Sequence, residues 1–368
     1  MMSDQSRISA LALAAAALVG LGGLFVSRRA LARARAALAK ERARRSELAL
    51  ELMGVRNSLM HTHESLSRGR HPQFALRESD VAIVTFPKCG TTWMQAIVQA
   101  LRSGCDMDFG EITEEMPWDI LALDCGQDLD AEQRWQPRVF KSHEPADTVA
   151  RGGRYIYVSR DPCDALFSFW KFLPSYAGLA ETDVELEGFA DAVFAGVSVS
   201  GQIWHHLLGW WRLRAQPNVL WVCFEDLKYD LETEVARVAD FLGICHSDAR
   251  DELVRNATAK ASLGAMSSAE NVVHYDDHFV RSKILPRMRV PQHARHSCGS
   301  PEAPNAAPII TKVRAGGGRV GYALPPALRA RLVAKWEAVI AHETGLRDYP
   351  HLRATLRRER EQGEATVQ

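Results

Sequence analysis

Several patterns that would assign a function directly are missing from this sequence of 368 residues. Its 45 Lys and Arg residues balance its 45 Asp and Glu residues, so the overall charge gives no indication of a nucleic-acid partner. The seven cysteines are an odd number and show neither CxxC nor Cys/His metal spacing. We therefore expect buried thiols in a reducing compartment, without a disulfide framework. No internal repeat divides the chain, which is long enough to bury one large core with appendages.

One uncharged apolar stretch lies near the N-terminus. Residues 8–26 (ISALALAAAALVGLGGLFV) comprise 19 residues, which is just enough to cross a bilayer. The basic residues that follow this stretch are Arg28, Arg29, Arg33, Arg35, Lys40, Arg42, Arg44 and Arg45. The positive-inside rule therefore predicts a single-pass membrane anchor with the catalytic body in the cytosol. Organelle targeting and a soluble cytoplasmic protein are the alternatives.

The rest of the chain divides by composition. Residues 1–27 contain the predicted anchor, residues 28–78 form a basic helical stalk and polar linker, and residues 79–350 form the folded domain. In the linker, His61 is expected to be a solvated residue. Residues 351–368 form a charged tail that we expect to fray.

Short β-favouring segments alternate with amphipathic helices within the predicted domain. The segments are residues 81–84, 138–141, 155–159 and 219–224. This alternation predicts an α/β fold: a single P-loop-like, three-layer domain with a central parallel sheet of about four or five strands flanked by helices. A hydrophobic helix precedes this domain at the N-terminus. In such sheets, phosphate sites lie at the carboxyl ends of the strands.

The first of these strands runs into a loop that is suited to an anion. Gly90 lets the backbone approach closely, and the first N–H groups of the helix that begins at Thr91 have no partner within the helix. Lys88 adds a positive charge, and Thr91 and Thr92 add hydroxyl donors. This pattern predicts a phosphate-binding loop. It is not a Walker A loop, because Lys88 precedes the glycine instead of following it.

The second and third predicted strands end in residues that could take part in catalysis or bind a phosphate. Lys141 and His143 are two positions apart at a strand end, so their side chains project to one side. A neutral histidine can remove a proton near pH 7, and a lysine can stabilise developing negative charge. Arg160 ends the third strand and Ser168 lies in the following helix, where together they could hold a phosphate. A structural histidine and a helix-flanking salt bridge are the alternatives.

In this order, the motifs resemble those of the cytosolic-type, PAPS-dependent sulfotransferases. Residues 87–93 (PKCGTTW) resemble the family's PKSGTTW loop, with Cys89 in the usual Ser position. Residues 140–145 (FKSHEP) resemble the KTHLP element, and residues 159–168 (SRDPCDALFS) resemble the R-(N/D)-P-x-D-x-x-x-S element. The resemblance extends from about residue 80 to residue 345, which is nearly the whole predicted domain.

The resemblance implies a role for each matching residue. His143 would be the general base, and Lys88 and Lys141 would stabilise the transferred sulfuryl group. The residues implied to bind the co-substrate PAPS, with no metal, are Lys88, Cys89, Gly90, Thr91, Thr92, Trp93, Arg160, Ser168, Phe224, Ser262, Arg314, Ala315 and Gly316.

Departures from the family pattern leave alternatives open. Cys89, Ala315 and Phe224 replace family residues, so a non-catalytic, membrane-tethered nucleotide binder is one alternative. A P-loop kinase is less well supported, because the Walker A order is missing. The acceptor is expected to be a small molecule, with the anchor favouring an apolar or lipid one, and to contact loops 106–137, 170–200 and 274–305. The family's dimer motif is not recognisable, so a homodimer has no support from the sequence.

Overall fold

The protein was analysed as a computed structural model that describes residues 28–196, 198, 200–244, 247–292, 312–313 and 324–367. The predicted anchor at residues 8–26 and the loop residues Arg314, Ala315 and Gly316 lie outside these ranges. Within the described residues, no helix is both long and apolar enough to cross a membrane. The chain divides into two units, residues 1–48 and Ala49–Gln368.

Four parallel strands form the centre of the second unit: β1 (Val81–Thr85), β2 (Val139–Ser142), β3 (Arg154–Ser159) and β4 (Val219–Cys223). Their order in the sheet is β2-β1-β3-β4. All five residues of β1 are buried, as expected for a parallel strand that is covered on both faces. Because the strands are parallel, the carboxyl ends of all four lie along the same edge of the sheet.

Helices precede β1 in the chain, connect β1 to β2 and β3 to β4, and follow β4. Their bounds are α1 (Arg28–Ser58), α2 (His63–Gly69), α3 (Thr91–Arg102), α4 (Ile112–Glu115), α5 (Pro162–Tyr176), α6 (Leu186–Phe194), α7 (Ile203–Trp211), α8 (Phe224–Tyr229), α9 (Leu231–Leu242), α10 (Asp248–Lys260), α11 (Leu263–Met266), α12 (His278–Arg287), α13 (Pro326–Trp336), α14 (His342–Thr344) and α15 (Tyr349–Val367). Single turns of 3-10 helix lie at Asp119–Leu121, Leu123–Cys125, Glu181–Asp183 and Val272–Tyr275.

Alternate residues of the strands point into two separate cores. Val81 and Ile83 belong to a cluster that includes apolar residues of α3, α9 and α10. Ala82 and Val84 belong to a second cluster, with residues of α5, α6, α7 and α13. Helices therefore cover both faces of the sheet, which confirms the predicted three-layer α/β architecture. Trp204, Trp210 and Trp211 of α7 are buried as well.

The C-terminal segment differs from the sequence-based expectation. The prediction that the charged tail at residues 351–368 frays is wrong, because residues Tyr349–Val367 form helix α15. Leu352 at its start is fully buried. Arg353 donates to the Asp226 carboxylate at 2.5 Å, and the Tyr349 hydroxyl donates to Glu225 at 2.8 Å. These contacts attach α15 to the chain that follows β4.

The segment before β1 also differs from the expected polar linker. It contains α2, and Phe74 and Leu76 are buried. The Thr62 N–H donates to the Asp124 carboxylate at 2.8 Å, and the Ser65 hydroxyl donates to the Ile120 carbonyl at 3.0 Å. The compact unit therefore begins at Ala49, and not at residue 79 as composition suggested. His61, which was expected to be solvated, is half-buried.

Candidate active site

The loop between β1 and α3 has a conformation that requires glycine at one position. Gly90 has a φ of 111° and directly precedes α3, and this left-handed region is rarely adopted by other residues. A Cβ atom at Gly90 would lie 2.9 Å from a ring carbon of Phe224. Lys88 also has a positive φ, of 70°. The resulting turn places the N-terminus of α3 at the carboxyl end of β1, as the sequence predicted.

His143 is oriented by a threonine of the neighbouring strand. Its Nδ1 lies 2.8 Å from the Thr85 carbonyl oxygen and 3.2 Å from the Thr85 hydroxyl. Because a carbonyl oxygen only accepts, Nδ1 carries the proton and Nε2 holds the lone pair. The Thr85 hydroxyl in turn lies 2.5 Å from the Thr91 hydroxyl at the start of α3. Burial, followed by the charge of Lys141, lowers the pKa of His143 well below its ordinary value, so the imidazole is neutral at pH 7.

Lys141 lies in a buried network of charges. Its Nζ is 3.7 Å from the centre of the Trp118 ring and 4.0 Å from Oδ1 of Asp277. Lys312 also pairs with Asp277. Burial lowers the pKa of Lys141 to about 8, although Asp277 opposes this shift. Burial disfavours the ionised form of Asp277, but Lys141 and Lys312 outweigh it and lower the pKa of this carboxyl below its ordinary value. Asp277 is therefore ionised at neutral pH.

A second acidic group lies in the same network. Glu111 is fully buried, and burial, together with the nearby Asp277 charge, raises its pKa to about 7. The Thr113 hydroxyl lies 3.1 Å from Glu111 and 3.4 Å from Asp277. The Thr113 hydroxyl thus connects the two carboxylates of the network that holds Lys141 and Lys312.

Arg160 directly follows β3 and contacts the loop that joins β1 to α3. Its Nη1 donates to the Lys88 carbonyl oxygen at 2.9 Å, and its guanidinium lies 4.3 Å from the centre of the Phe224 ring. The Lys88 ammonium lies 3.6 Å from the centre of the Phe172 ring. The side chain of Arg160 is only 8% exposed. Two cationic groups are therefore held by aromatic faces beside the loop.

These groups surround one cavity of about 570 Å³. This volume is within the range for small-molecule sites. The residues that the sequence selected and that line the cavity are Lys88, Gly90, Thr91, Thr92, Trp93, Lys141, His143, Arg160, Ser168 and Phe224. The structure therefore brings together residues that are widely separated in the chain.

The other residues that the sequence analysis assigned to the site either do not line this cavity or lie outside the described ranges. Cys89 is buried in the core and its N–H donates to the Phe86 carbonyl at 3.1 Å. Burial raises the pKa of its thiol to about 12. The Ser262 hydroxyl accepts from the Ala265 N–H at the start of α11 and donates to the Ala259 carbonyl. The loop at residues 314–316 is not described.

Sequence reasoning missed several residues of the cavity. Asp277 and Lys312 lie in segments without a recognisable motif, and only the tertiary structure places them beside Lys141. Residues Leu50, Met53, Gly54 and Asn57 also line the cavity. Their spacing of three, four and seven residues is that of one helix face, and this signal was available in the sequence. His206, in contrast, is a core residue, with its Nδ1 3.1 Å from the Tyr157 hydroxyl.

The comparisons with known proteins match the part of the chain that contains this site. A family model described as "Sulfotransferase domain" matches residues 78–285. The amine sulfotransferase of Oryctolagus cuniculus is 32% identical over 197 residues, which are 50% of this chain and 63% of that protein. Sulfotransferase 1E1 of Bos taurus is 26% identical over 231 residues, which are 59% of this chain and 76% of that protein. The first alignment therefore spans less than two thirds of the relative.

A solved structure shares the fold. Retinol dehydratase, in complex with androsterone and the inactive cofactor PAP, aligns with a TM-score of 0.54 and 18% sequence identity over 74% of this chain and 83% of that chain. At this identity the likeness concerns the fold. The family model covers more than half of the 368 residues, including the loop at Lys88–Thr92, His143 and Arg160. The chain belongs to the sulfotransferase domain family.

Proposed function

We propose that the protein transfers a sulfuryl group from PAPS to a hydroxyl, or an amine, of a small acceptor. The observation that carries this proposal is the shared cavity. It combines a phosphate-type loop at the start of α3, two lysines, an arginine and a neutral histidine. Such an arrangement suits the transfer of an anionic group between two bound molecules, where positioning and charge stabilisation dominate the rate enhancement.

The nucleotide would bind at the basic loop. The Lys88 ammonium and the Thr91 and Thr92 hydroxyls, with the first N–H groups of α3, would hold the 5′-phosphosulfate. Arg160 and Ser168 would hold the 3′-phosphate. Both residues line the same cavity. Arg314, Ala315 and Gly316 would cover this phosphate, as the resemblance implies. The Trp93 and Phe224 rings, whose centres are 5.4 Å apart, would contact the adenine. Cys89 and Ser262 would support the loop and α11 from behind.

His143 would act as the general base. Its Nε2 lone pair accepts the proton of the acceptor hydroxyl while the acceptor oxygen bonds to sulfur. The sulfur–oxygen bond to the 5′-phosphate breaks, and its electron pair stays on that phosphate. Lys88 and Lys141 stabilise the negative charge that develops on the transferred group and the phosphate. The proposal includes no metal, because these side chains supply the positive charge.

The location of the domain is a separate proposal. The basic residues after residues 8–26 favour a cytosolic catalytic domain, and a matched relative of Arabidopsis thaliana is itself named a cytosolic sulfotransferase. The single-pass anchor stays a prediction of the sequence, with organelle targeting and a soluble protein as alternatives.

Calorimetric titration of the full-length chain with PAP, the desulfated nucleotide, tests the nucleotide site. Hydrogen bonds to charged groups contribute about 1.5–3 kcal/mol. Arg160→Ala should therefore weaken PAP binding by about 10-fold to 150-fold. Arg212→Ala is the matched control, since Arg212 is exposed and pairs with Glu343 at 2.8 Å. A folded wild-type chain that does not bind PAP would contradict the proposal.

A transfer assay with ³⁵S-labelled PAPS tests catalysis. We expect label in a hydroxyl-bearing acceptor, and loss of this label in the absence of His143. Tight PAP binding without transfer to any acceptor would favour the non-catalytic nucleotide binder. Turnover of ATP that depends on Mg²⁺ would favour the kinase.

A further inference from the structure

The end of α1 lines the cavity although it lies outside the region that matches the family. Leu50, Met53, Gly54 and Asn57 recur at the spacing of one helix face, and Met60 and His61 follow them in the wall. The family model begins only at residue 78. These residues therefore contribute to the cavity from outside the matched region.

We propose that residues 50–61 form a wall of the acceptor-binding part of the cavity and limit the length of an apolar, hydroxyl-bearing acceptor. This inference rests on the proposed sulfuryl transfer, because it names the class of acceptor for that same site. It concerns a determinant of specificity, and these residues take no part in the chemical step.

Several contacts hold this wall in place. Met53 is only 5% exposed, whereas Leu52 and Val55 on the opposite side of the helix are 40% and 60% exposed. Arg56 donates to the carbonyl oxygen of Ala177, just after α5, at 2.5 Å. Thr62, directly after the wall, is bonded through its N–H to Asp124 at 2.8 Å. The middle of the segment and the residue that follows it are thus attached to the folded domain.

The wall lies beside the residues proposed for the chemistry. Met60 packs against a cluster of buried residues that includes Trp118, Phe172 and Tyr176. The Trp118 ring centre is 5.1 Å from that of His143, and the Phe172 ring contacts Lys88. An acceptor that reaches His143 would therefore extend along these rings toward Met60. Aliphatic, thioether and aromatic groups line this path, which favours an acceptor with an apolar body.

Gly54 offers a direct test, because a Cβ atom at this position would meet no atom within 4 Å. A leucine has room there and occupies part of the cavity, and replacing a helical glycine does not weaken the helix. The probes are phenol, 4-butylphenol and 4-octylphenol, titrated calorimetrically into the full-length chain saturated with PAP. We expect Gly54→Leu to weaken 4-octylphenol binding at least 10-fold, and to change the affinities for phenol and PAP less than twofold.

Val55→Leu is the matched control, since it places the same leucine side chain one residue further along, on the exposed side of the helix. Equal effects of the two variants on every probe would overturn the proposal. A wild-type chain that binds PAP but none of the alkylphenols would also overturn it, and would leave the proposed function intact. A chain that binds no PAP contradicts the proposed function instead, and titration without PAP then still compares Gly54→Leu with Val55→Leu.

Discussion

The two sides of the cavity are built in different ways. The loop side comes from one continuous stretch, Val81–Trp93, in which a strand, a turn and a helix start follow one another. The charge network at Lys141 joins residues that lie far apart in the chain, Glu111, Asp277 and Lys312. The comparison shows that local sequence can determine a backbone-based anion site, whereas a buried charge network depends on the packing of several segments.

The two sides also depend on different forces. At the loop, the conformation of Gly90 and the N-terminus of α3 are fixed by backbone geometry, which does not titrate. In the network, burial lowers the pKa of Lys141 to about 8, and Asp277 limits this shift. The charge of the network is therefore sensitive to pH and to the loss of one partner.

His143 connects the two sides, and its replacement should have the largest effect. General base catalysis contributes about 10²–10⁴-fold. We therefore expect His143→Ala to lower the rate of label transfer from PAPS by about this factor. PAP affinity should change little, because His143 is proposed to contact the acceptor.

The control for this variant is His205→Ala, because His205 is an exposed neighbour of the buried His206. A His143→Ala variant that keeps the full transfer rate would remove the base from the mechanism. Absence of transfer by a wild-type chain that binds PAP would instead favour the non-catalytic binder.

Asp277→Asn tests the network side. The carboxylate opposes the lowering of the Lys141 pKa by burial and by Lys312, so its loss should lower this pKa further. Lys141 must be protonated to stabilise negative charge. We expect kcat/KM of the wild type to fall above about pH 8, in line with the Lys141 pKa of about 8, and that of the variant to fall at a lower pH. Breaking one partner of a buried ion pair should also cost about 3–5 kcal/mol of unfolding free energy.

Asp277→Glu is the matched control, since it keeps the charge and should restore the position of the alkaline limb. The charged and titratable groups around Lys141 and Asp277 are Lys312, Glu111, His143 and Arg281. An unchanged pH profile in Asp277→Asn would show that Asp277 is not a positioning residue for Lys141.

Gly90→Ala tests the loop side and should have the smallest of these effects. The φ of 111° and the 2.9 Å approach of a Cβ atom to Phe224 both disfavour alanine. We expect a loss of about 1–3 kcal/mol in the free energy of unfolding, measured by urea denaturation, together with weaker PAP binding. Gly264→Ala is the control, because a Cβ atom there meets nothing within 4 Å. Equal stability of the two variants would contradict the strain at Gly90.

The sequence predicted both ends of all four strands to within one residue. The bounds of β3, for example, are Arg154–Ser159 against the predicted 155–159. Runs of β-branched and aromatic residues between polar turns carry enough local information for this. The loop at Lys88–Thr92 and the pair Lys141 and His143 were equally predictable, because their spacing alone places them at strand ends.

Predictions from composition were weaker. The segments at residues 57–78 and 351–368 are rich in polar and charged residues, which suggested a linker and a tail. In the structure, Phe74 and Leu352 are buried, and arginines such as Arg353 form ion pairs with Asp226. A charged residue can lie on a solvated surface or pair across a helix contact, and its identity alone does not distinguish the two.

The sequence by itself determined the order of the strands along the chain, the loop geometry that requires Gly90, and the resemblance to sulfotransferases. These properties depend on residues that are neighbours in the chain. The tertiary structure alone decided that Asp277 and Lys312 face Lys141, that Thr85 orients His143, and that the end of α1 closes the cavity. Such contacts depend on the packing of distant segments, and no local pattern in the sequence encodes the distance between them.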